Sequence, residues 1–432
     1  MRRGWCPSLF EPMPSGDGLL VRLKPPGARM TAAAARALAA AAARFGDGSI
    51  ALTRRAAIQV RGLRAGDTPA FAAAMVEAGL ADPDPEVERR RAVIVAPLNG
   101  TDPGASPDAP VIAATIESMF ARDPRFARLP AKFCVSVDGG GVLPLGDVGA
   151  DIRVVCAGAA CSVAVGKWAA EGDPVDAAEW VARLALAFLD LSARCSPTPR
   201  RMRDLDSLSA LGGGEGWGEV GEGWHNPARA ACRTVASAPS AGVSPTSPRP
   251  SPSPRGGEGV ERPIGWVPYG NGTRGAFGLG LPLGTTDAAS LARMAGLAQR
   301  FGAGALCVTP WRALVIPGVA ARDAAALREA GAALGVIVDG SDPRLKVSAC
   351  VGRPGCASAS VDARADAAVL AAPGLRATVH VSGCAKGCAR PAAADVTLVG
   401  EAGRYALVRD GLPPRRGLML AQAAALIEGA AP

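Results

Sequence analysis

Residues 44–63 and 300–319 are one segment written twice. The first copy reads RFGDGSIALTRRAAIQVRGL and the second RFGAGALCVTPWRALVIPGV. With no gap, Arg44, Phe45, Gly46, Gly48, Thr53 and Gly62 fall on Arg300, Phe301, Gly302, Gly304, Thr309 and Gly318. Each copy follows an Ala/Leu-rich stretch of helical character, roughly 31–44 and 287–300. Each of these follows an extended segment, Leu19–Leu23 or Phe277–Leu283. The unit is therefore strand–helix–strand–strand, with Phe-Gly ending the helix as a C-cap would. Two such units can close into one body about a pseudo-twofold axis. The interval between the copies is far too long for a solenoid.

A weaker repeat follows each unit. LPAKFCVSVDGGG from Leu129 resembles LRATVHVSGCAKG from Leu375, and DIRVV from Asp151 resembles DVTLV from Asp395. Both copies read as mixed strands and helices, so the chain is an A–B–A′–B′ duplication. Between the halves, 208–262 is rich in Gly, Ser and Pro, a composition that supports no packed core. A linker or insertion without fold is expected there, and it contains His225, one of two histidines.

The chemistry rests on cysteines late in the chain. Cys350 and Cys356 are spaced C-x5-C in SACVGRPGCASAS, and Cys384 and Cys388 are spaced C-x3-C in HVSGCAKGCARP. Two pairs of thiolates suit a [4Fe–4S] cluster, one sulfur to each iron. Structural zinc favours tighter knuckles, for which a C-x5-C arm is long, although zinc or four unrelated thiols stay open from spacing alone. Val351, Gly352, Gly355, Ala385 and Gly387 are small enough to let backbone N–H groups approach the sulfurs. Of the eleven cysteines, Cys134, Cys156, Cys161, Cys195, Cys232 and Cys307 read as buried or incidental thiols.

Composition excludes more than it identifies. The 432 residues, 49% of them apolar, are enough for two or three domains. No apolar run is long enough to span a membrane. The N-terminal MRRGWCPSLFEPMPSGDG lacks the apolar core of an export signal. With an odd number of cysteines this points to the reducing cytoplasm. The net charge of +8 accompanies few aromatics and no basic run interleaved with them, so nucleic acid is not expected as a partner.

Duplicated halves with C-x5-C and C-x3-C resemble the nitrite and sulfite reductase family, and HVSGCAKGCA at 380–389 is similar to that family's second cluster motif. The resemblance covers nearly all of the chain outside 208–262. It implies an α+β fold of two ferredoxin-like half-domains (1–70 and 263–335) and two mixed α/β domains (85–205 and 340–432), related by pseudo-twofold symmetry. It also implies a [4Fe–4S] cluster on Cys350, Cys356, Cys384 and Cys388, with Cys388 where the family's thiolate bridges to siroheme iron. Three segments look like one branch, the precorrin-3B synthases of aerobic cobalamin synthesis: RRGWCPSLFEPMPSGDGLLVRL at 2–23, TPWRALVIP at 309–317 and ACVGRPGCASA at 349–359. Cys6 lies in the first of these.

The family's anion-binding set, two arginines and two lysines, carries over to Arg55, Arg91 and Lys132, while the second lysine falls on Cys134. Loss of that cation disfavours six-electron reduction of a small dianion, yet leaves charge to grip the carboxylates of a macrocycle. The branch implies hydroxylation of precorrin-3A at C20 with γ-lactone closure, using O2 and reducing equivalents. Arg55, Arg91 and Lys132, with Arg22, would orient the tetrapyrrole. The second iron centre would be siroheme or a mononuclear iron. A mononuclear site commonly uses two His and a carboxylate, and only His380 lies outside the expected linker. GLGLPLG at 278–284 lacks G-x-G-x-x-G spacing opening a helix and reads as a strand, so NADH is expected only as an indirect source through a separate reductase. Arg353 and Lys386, inside the cluster loops, would tune the cluster or face that donor. The alternative is an assimilatory sulfite or nitrite reductase.

Overall fold

The computed structural model of the chain describes residues 6–146, 148–166, 168–196, 198–205, 263–388 and 394–429. The expected linker 208–262 lies outside the described residues, and with it His225 and Cys232. The first unit runs β1 (Met13–Ser15), β2 (Gly18–Leu23), β3 (Arg29–Thr31), α1 (Ala32–Phe45), β4 (Ser49–Leu52), β5 (Ile58–Leu63) and α2 (Thr68–Glu77). There follow α3 (Pro85–Arg90), β6 (Val93–Val95), α4 (Asp108–Arg122), β7 (Val135–Asp138), β8 (Ile152–Ala157), β9 (Ala160–Val165), β10 (Trp168–Gly172) and α5 (Pro174–Ala193). The second unit repeats the first with β11 (Gly265–Pro268), β12 (Arg274–Gly280), β13 (Thr285–Asp287), α6 (Ala288–Phe301), β14 (Ala305–Val308), β15 (Ala313–Ala320) and α7 (Ala324–Ala333). The chain closes with β16 (Val347–Ala349), α8 (Ala363–Leu370), β17 (Val379–Ser382), β18 (Val396–Glu401), β19 (Arg404–Val408), β20 (Arg415–Leu418) and α9 (Leu420–Glu428).

The repeat folds as a helix because its ends and its stripe agree. Thr31 caps α1 by accepting from the Ala34 N–H at 3.1 Å, and Asp287 caps α6 by accepting from Ser290 N–H at 2.8 Å. The buried stripes are Ala35, Leu38, Ala39 and Ala42 in one helix and Leu291, Met294, Ala295 and Ala298 in the other, the i, i+3, i+4, i+7 pattern of one face. The two helices pack on each other across the pseudo-twofold. Phe-Gly does end both, but Gly46 and Gly302 are extended and not left-handed. The glycine is required by close approach: a Cβ on Gly46 would stand 2.5 Å from the Arg61 carbonyl oxygen.

Each unit gives one strand to the other. Sheet order in the first half is β1-β2-β5-β4-β13 and in the second β11-β12-β15-β14-β3. Thr31 pairs with Ala305, and Thr285 with Ala51, in antiparallel register. Reciprocal bonds reinforce the exchange: Ala32 N–H donates to Gly304 O at 2.8 Å and Ala288 N–H to Gly48 O at 2.9 Å. These short strands, not evident in the repeat pattern, make the two ferredoxin-like halves one body.

The weaker repeat folds into two sheets of one topology. In β6-β7-β8-β9-β10 and in β16-β17-β18-β19-β20 the first three strands are parallel and the rest antiparallel. The recurring Asp has a physical reason. Asp151 Oδ2 accepts from Cys134 N–H at 2.9 Å, and Asp395 Oδ2 from Thr378 N–H at 2.7 Å. Each Asp ties the start of one parallel strand to its neighbour. The GLGLPLG segment enters β12 and the turn after it, as expected of a strand. The first sheet of this pair shares a continuous core with both ferredoxin-like halves, whereas the last sheet has a core of its own.

One cysteine reading is corrected. Cys156 and Cys161 face each other in the β8–β9 register and are joined as a disulfide, not left as separate thiols. Cys307 matches expectation as a core thiol, pushed up to about 11 by burial. Among the described residues no helix is long and apolar enough to cross a membrane.

Gly46→Ala should cost about 1–3 kcal/mol, since a backbone oxygen and not a flexible side chain must give way; urea denaturation reads it directly.

Candidate active site

The first cluster motif is held from outside its own domain. The loop after β16 carries Cys350 to Cys356, and its Gly355 carbonyl oxygen accepts from Ser15 Oγ at 2.8 Å, Gly16 N–H at 3.2 Å and Arg61 Nη2 at 2.9 Å. Arg61, on β5, is only 6% exposed. Its Nε and Nη2 grip Asp17 Oδ2 and Oδ1 at 2.8 and 3.0 Å. Nothing larger than glycine fits here: a Cβ on Gly355 would stand 2.8 Å from Asp17 Oδ2, and one on Gly16 2.5 Å from Pro354 O. Arg364, at the start of α8, joins this group. Burial, then the Arg61 charge, lowers its pKa, opposed by Asp17, Cys350 and Asp47.

The second motif comes off β17, beside the first. Cys350 N–H donates to Val381 O at 3.0 Å, and Gly383 N–H donates to Cys350 Sγ at 3.0 Å. A Cβ on Gly383 would meet Ala359 Cβ at 2.6 Å. The four expected thiols are brought together. Burial, and then the charges of Cys384, Cys356 and Cys350, push the Cys388 thiol up, with Lys386 opposing. Cys388 is exposed and the other three half-buried. Yet among the described residues no three His, Cys, Asp or Glu groups close on a single ion. Four thiols within electrostatic reach of one another, with a backbone N–H on one sulfur, form a donor set of the kind an iron–sulfur cluster takes. His380 is buried in β17 with its Nδ1 3.0 Å from Ser348 Oγ on β16. Lys386 Nζ donates to Ser358 Oγ at 2.8 Å.

A group of cations gathers at the other end of β2. Gly18 to Lys24 is ~20 Å of extended chain, so this strand runs from the Gly355 clamp to the cations. Arg55 is presented by the turn between β4 and β5. There Thr53 Oγ1 accepts from Arg55 and Ala57 N–H, both at 3.2 Å, and Ala56 is left-handed at φ 48°. Thr309 builds the matching turn in the second half, accepting from Trp311 and Ala313 N–H, with Arg312 at φ 62°. Arg55 Nη1 donates to the Lys132 carbonyl oxygen at 2.7 Å, so these two expected residues meet. Arg22 lies beside the Cys6 thiol and near Arg55; burial lowers its pKa, with the Cys6 charge and hydrogen bond opposing and Arg55 adding to the fall. Cys134 is a buried thiol, its pKa raised by burial and held down by the Arg55 charge.

Arg91 departs from expectation. Its Nη1 bonds Glu88 Oε2 at 3.0 Å, an ion pair 11% and 3% exposed. Part of its guanidinium is therefore engaged by a buried carboxylate of the protein itself. Burial raises Glu88 and Glu117, with Arg91 the strongest opposing charge on each. Lys24 was missed by sequence reasoning, although the alternation of Arg22 and Lys24 around β2 was a usable signal. Arg61 was missed too; a charge on a strand whose neighbours are apolar was its signal.

The family model for the nitrite/sulfite reductase ferredoxin-like half domain matches residues 11–78 and 268–334. Over 422 residues the chain is 35% identical to a precorrin-3B synthase from a Sinorhizobium species, covering 95% of this chain and 83% of that protein. It is 28% identical over 143 residues to a ferredoxin–nitrite reductase from Leptolyngbya laminosa, covering 32% of this chain and 28% of that one. Among solved structures, the NirA protein of Mycobacterium tuberculosis superposes with a TM-score of 0.67 at 20% identity, covering 93% of this chain and 77% of that one.

Arg61→Met should destabilise the fold by roughly 3 kcal/mol, because it strips Asp17 of its counter-charge and the Gly355 oxygen of a donor. Asp17→Asn, which keeps the shape, should cost less; chemical denaturation of both variants ranks them.

Proposed function

This chain belongs to the precorrin-3B synthase family, a branch of the nitrite and sulfite reductase fold, and we propose on that premise that it hydroxylates precorrin-3A at C20 and closes the γ-lactone from the ring A acetate. The observation that carries the reading is the presence, in one chain of this family, of four thiols and a group of cations, each set within electrostatic reach of its own members. Glu88, a carboxylate acting on Lys24, is already bonded by Arg91. Such a group of cations attracts an anion, and a tetrapyrrole bearing many carboxylates suits it.

Cys350, Cys356, Cys384 and Cys388 would hold a [4Fe–4S] cluster, and Cys388, the most exposed, is the thiol available to a siroheme iron. When bound, the cluster supplies single electrons, and a second iron, in siroheme or mononuclear, supplies oxygen activation. The protein's part is placement. Arg55, Lys132 and Arg22 orient the carboxylates of the substrate by charge-assisted hydrogen bonds. Arg91 holds Glu88 beside Lys24, which is a positioning role. Gly383 N–H, directed at Cys350 Sγ, stabilises thiolate charge. The exposed Lys386, beside Cys388 in the same loop, faces a separate electron-donating reductase fed by NADH. The setting is cytoplasmic.

The test is turnover of the anaerobically purified protein. Oxygen- and reductant-dependent conversion of precorrin-3A to the hydroxylactone, followed by mass spectrometry, supports the reading. Sulfite-dependent oxidation of reduced viologen without that conversion overturns it in favour of a sulfite reductase. Cys384→Ser should lower iron and acid-labile sulfide together and bleach the visible shoulder. Stoichiometric zinc in place of iron would sink the cluster assignment.

A further inference from the structure

The anion-binding set inferred by resemblance lacks one cation in this chain. Position 134 holds a thiol where a lysine was expected, and Arg91 Nη1 is shared with Glu88. Lys24 stands where a replacement is needed. It follows β2 directly, two residues after Arg22, is half-buried, and is within electrostatic reach of Arg22, Arg55 and Cys134.

Its surroundings leave positive charge in excess. From β2 it faces Arg22; from the turn after β4, Arg55; ahead of β7, Cys134; from α3, Glu88; from α4, Glu117. Its Nζ donates to the Arg91 carbonyl oxygen. Glu88 Oε2 is already engaged by Arg91 Nη1 and by the Asp82 N–H, both at 3.0 Å. Arg22 adds a buried Nε without a hydrogen-bond partner. Cations crowded in this way await an anion from outside the chain.

We propose that Lys24 is a substrate-binding cation, its ammonium taking a peripheral carboxylate of the macrocycle and restoring the charge that Cys134 leaves missing. This rests on the tetrapyrrole reading above and names the residue that would distinguish this pocket from one built for a small oxyanion. The ammonium is also titratable in the working range. Burial is the main reason its pKa falls from 10.5 to about 8, with Glu88 opposing and Arg22 and Arg55 adding to the fall. A bound carboxylate would raise it again. Affinity is therefore full below about pH 8 and declines as the pH rises above it.

The experiment is an anaerobic absorbance titration of the full-length protein with precorrin-3A, where no turnover occurs. Lys24→Met should weaken binding about tenfold or more. Its Tm at pH 7 should be no lower than that of the native protein, because the charge removed is one the fold holds against its hydration. Lys24→Arg should keep the affinity and abolish the decline above pH 8, since guanidinium stays protonated. A Lys24→Met variant that binds like the native protein overturns the proposal, whatever its Tm. So does a Lys24→Arg variant that keeps the native pH dependence. If the native protein shows no spectral change with precorrin-3A, the substrate reading itself fails and takes this inference with it.

Discussion

The carbonyl oxygen of Gly355 is the point on which this architecture turns. Three donors from the N-terminal half converge on it, and the strongest, Arg61, is itself fixed by a two-pronged grip on Asp17. The last α/β layer has a core of its own and little apolar continuity with the rest. Leu283 packs against that core, and the polar clamp sets where the Cys350–Cys356 loop lies relative to β2. A buried arginine paired and fully hydrogen-bonded adds less net stability than its removal would cost. Its value here is register: it fixes one loop of one domain to one turn of another.

The exchange of β3 and β13 makes that register transferable. Because each ferredoxin-like sheet borrows its fifth strand from the other half, neither half can shift alone. The helices α1 and α6 pack on each other and bring the two units close. What is anchored at Gly355 is thereby fixed relative to both halves, including the Thr53 turn that presents Arg55. Left-handed Ala56 and Arg312 in the paired turns are strained conformations that only a well-determined surrounding sustains.

The group of cations expresses a different constraint. Arg55 disfavours the charged form of Arg22, and both disfavour that of Lys24, so like charges are held together here against their repulsion. Arg91 shows the contrast. The sequence resemblance marked it as an anion-binding cation, and α3 places Glu88 one turn before it in a shared buried setting, where the carboxylate gains a counter-charge.

Much of this was legible in the residues. The repeat at 44–63 and 300–319 announced two equivalent units. Cys350, Cys356, Cys384 and Cys388 were legible as two thiol motifs, and Asp151 and Asp395 marked equivalent strands. These are local or periodic signals, and backbone geometry translates them directly. The disulfide of Cys156 and Cys161 escaped notice because it depends on strand register, which a short hairpin reveals only once paired. Lys24, Arg61 and the capture of Arg91 escaped because they depend on which elements pack together. The sequence by itself determined the duplicated units, their helices and caps, and the two thiol motifs, since those follow from period and spacing. Only the tertiary structure decided which strands were exchanged, which cations were gathered together and which loop Arg61 would hold, because burial and charge pairing are properties of neighbours that lie far apart along the chain.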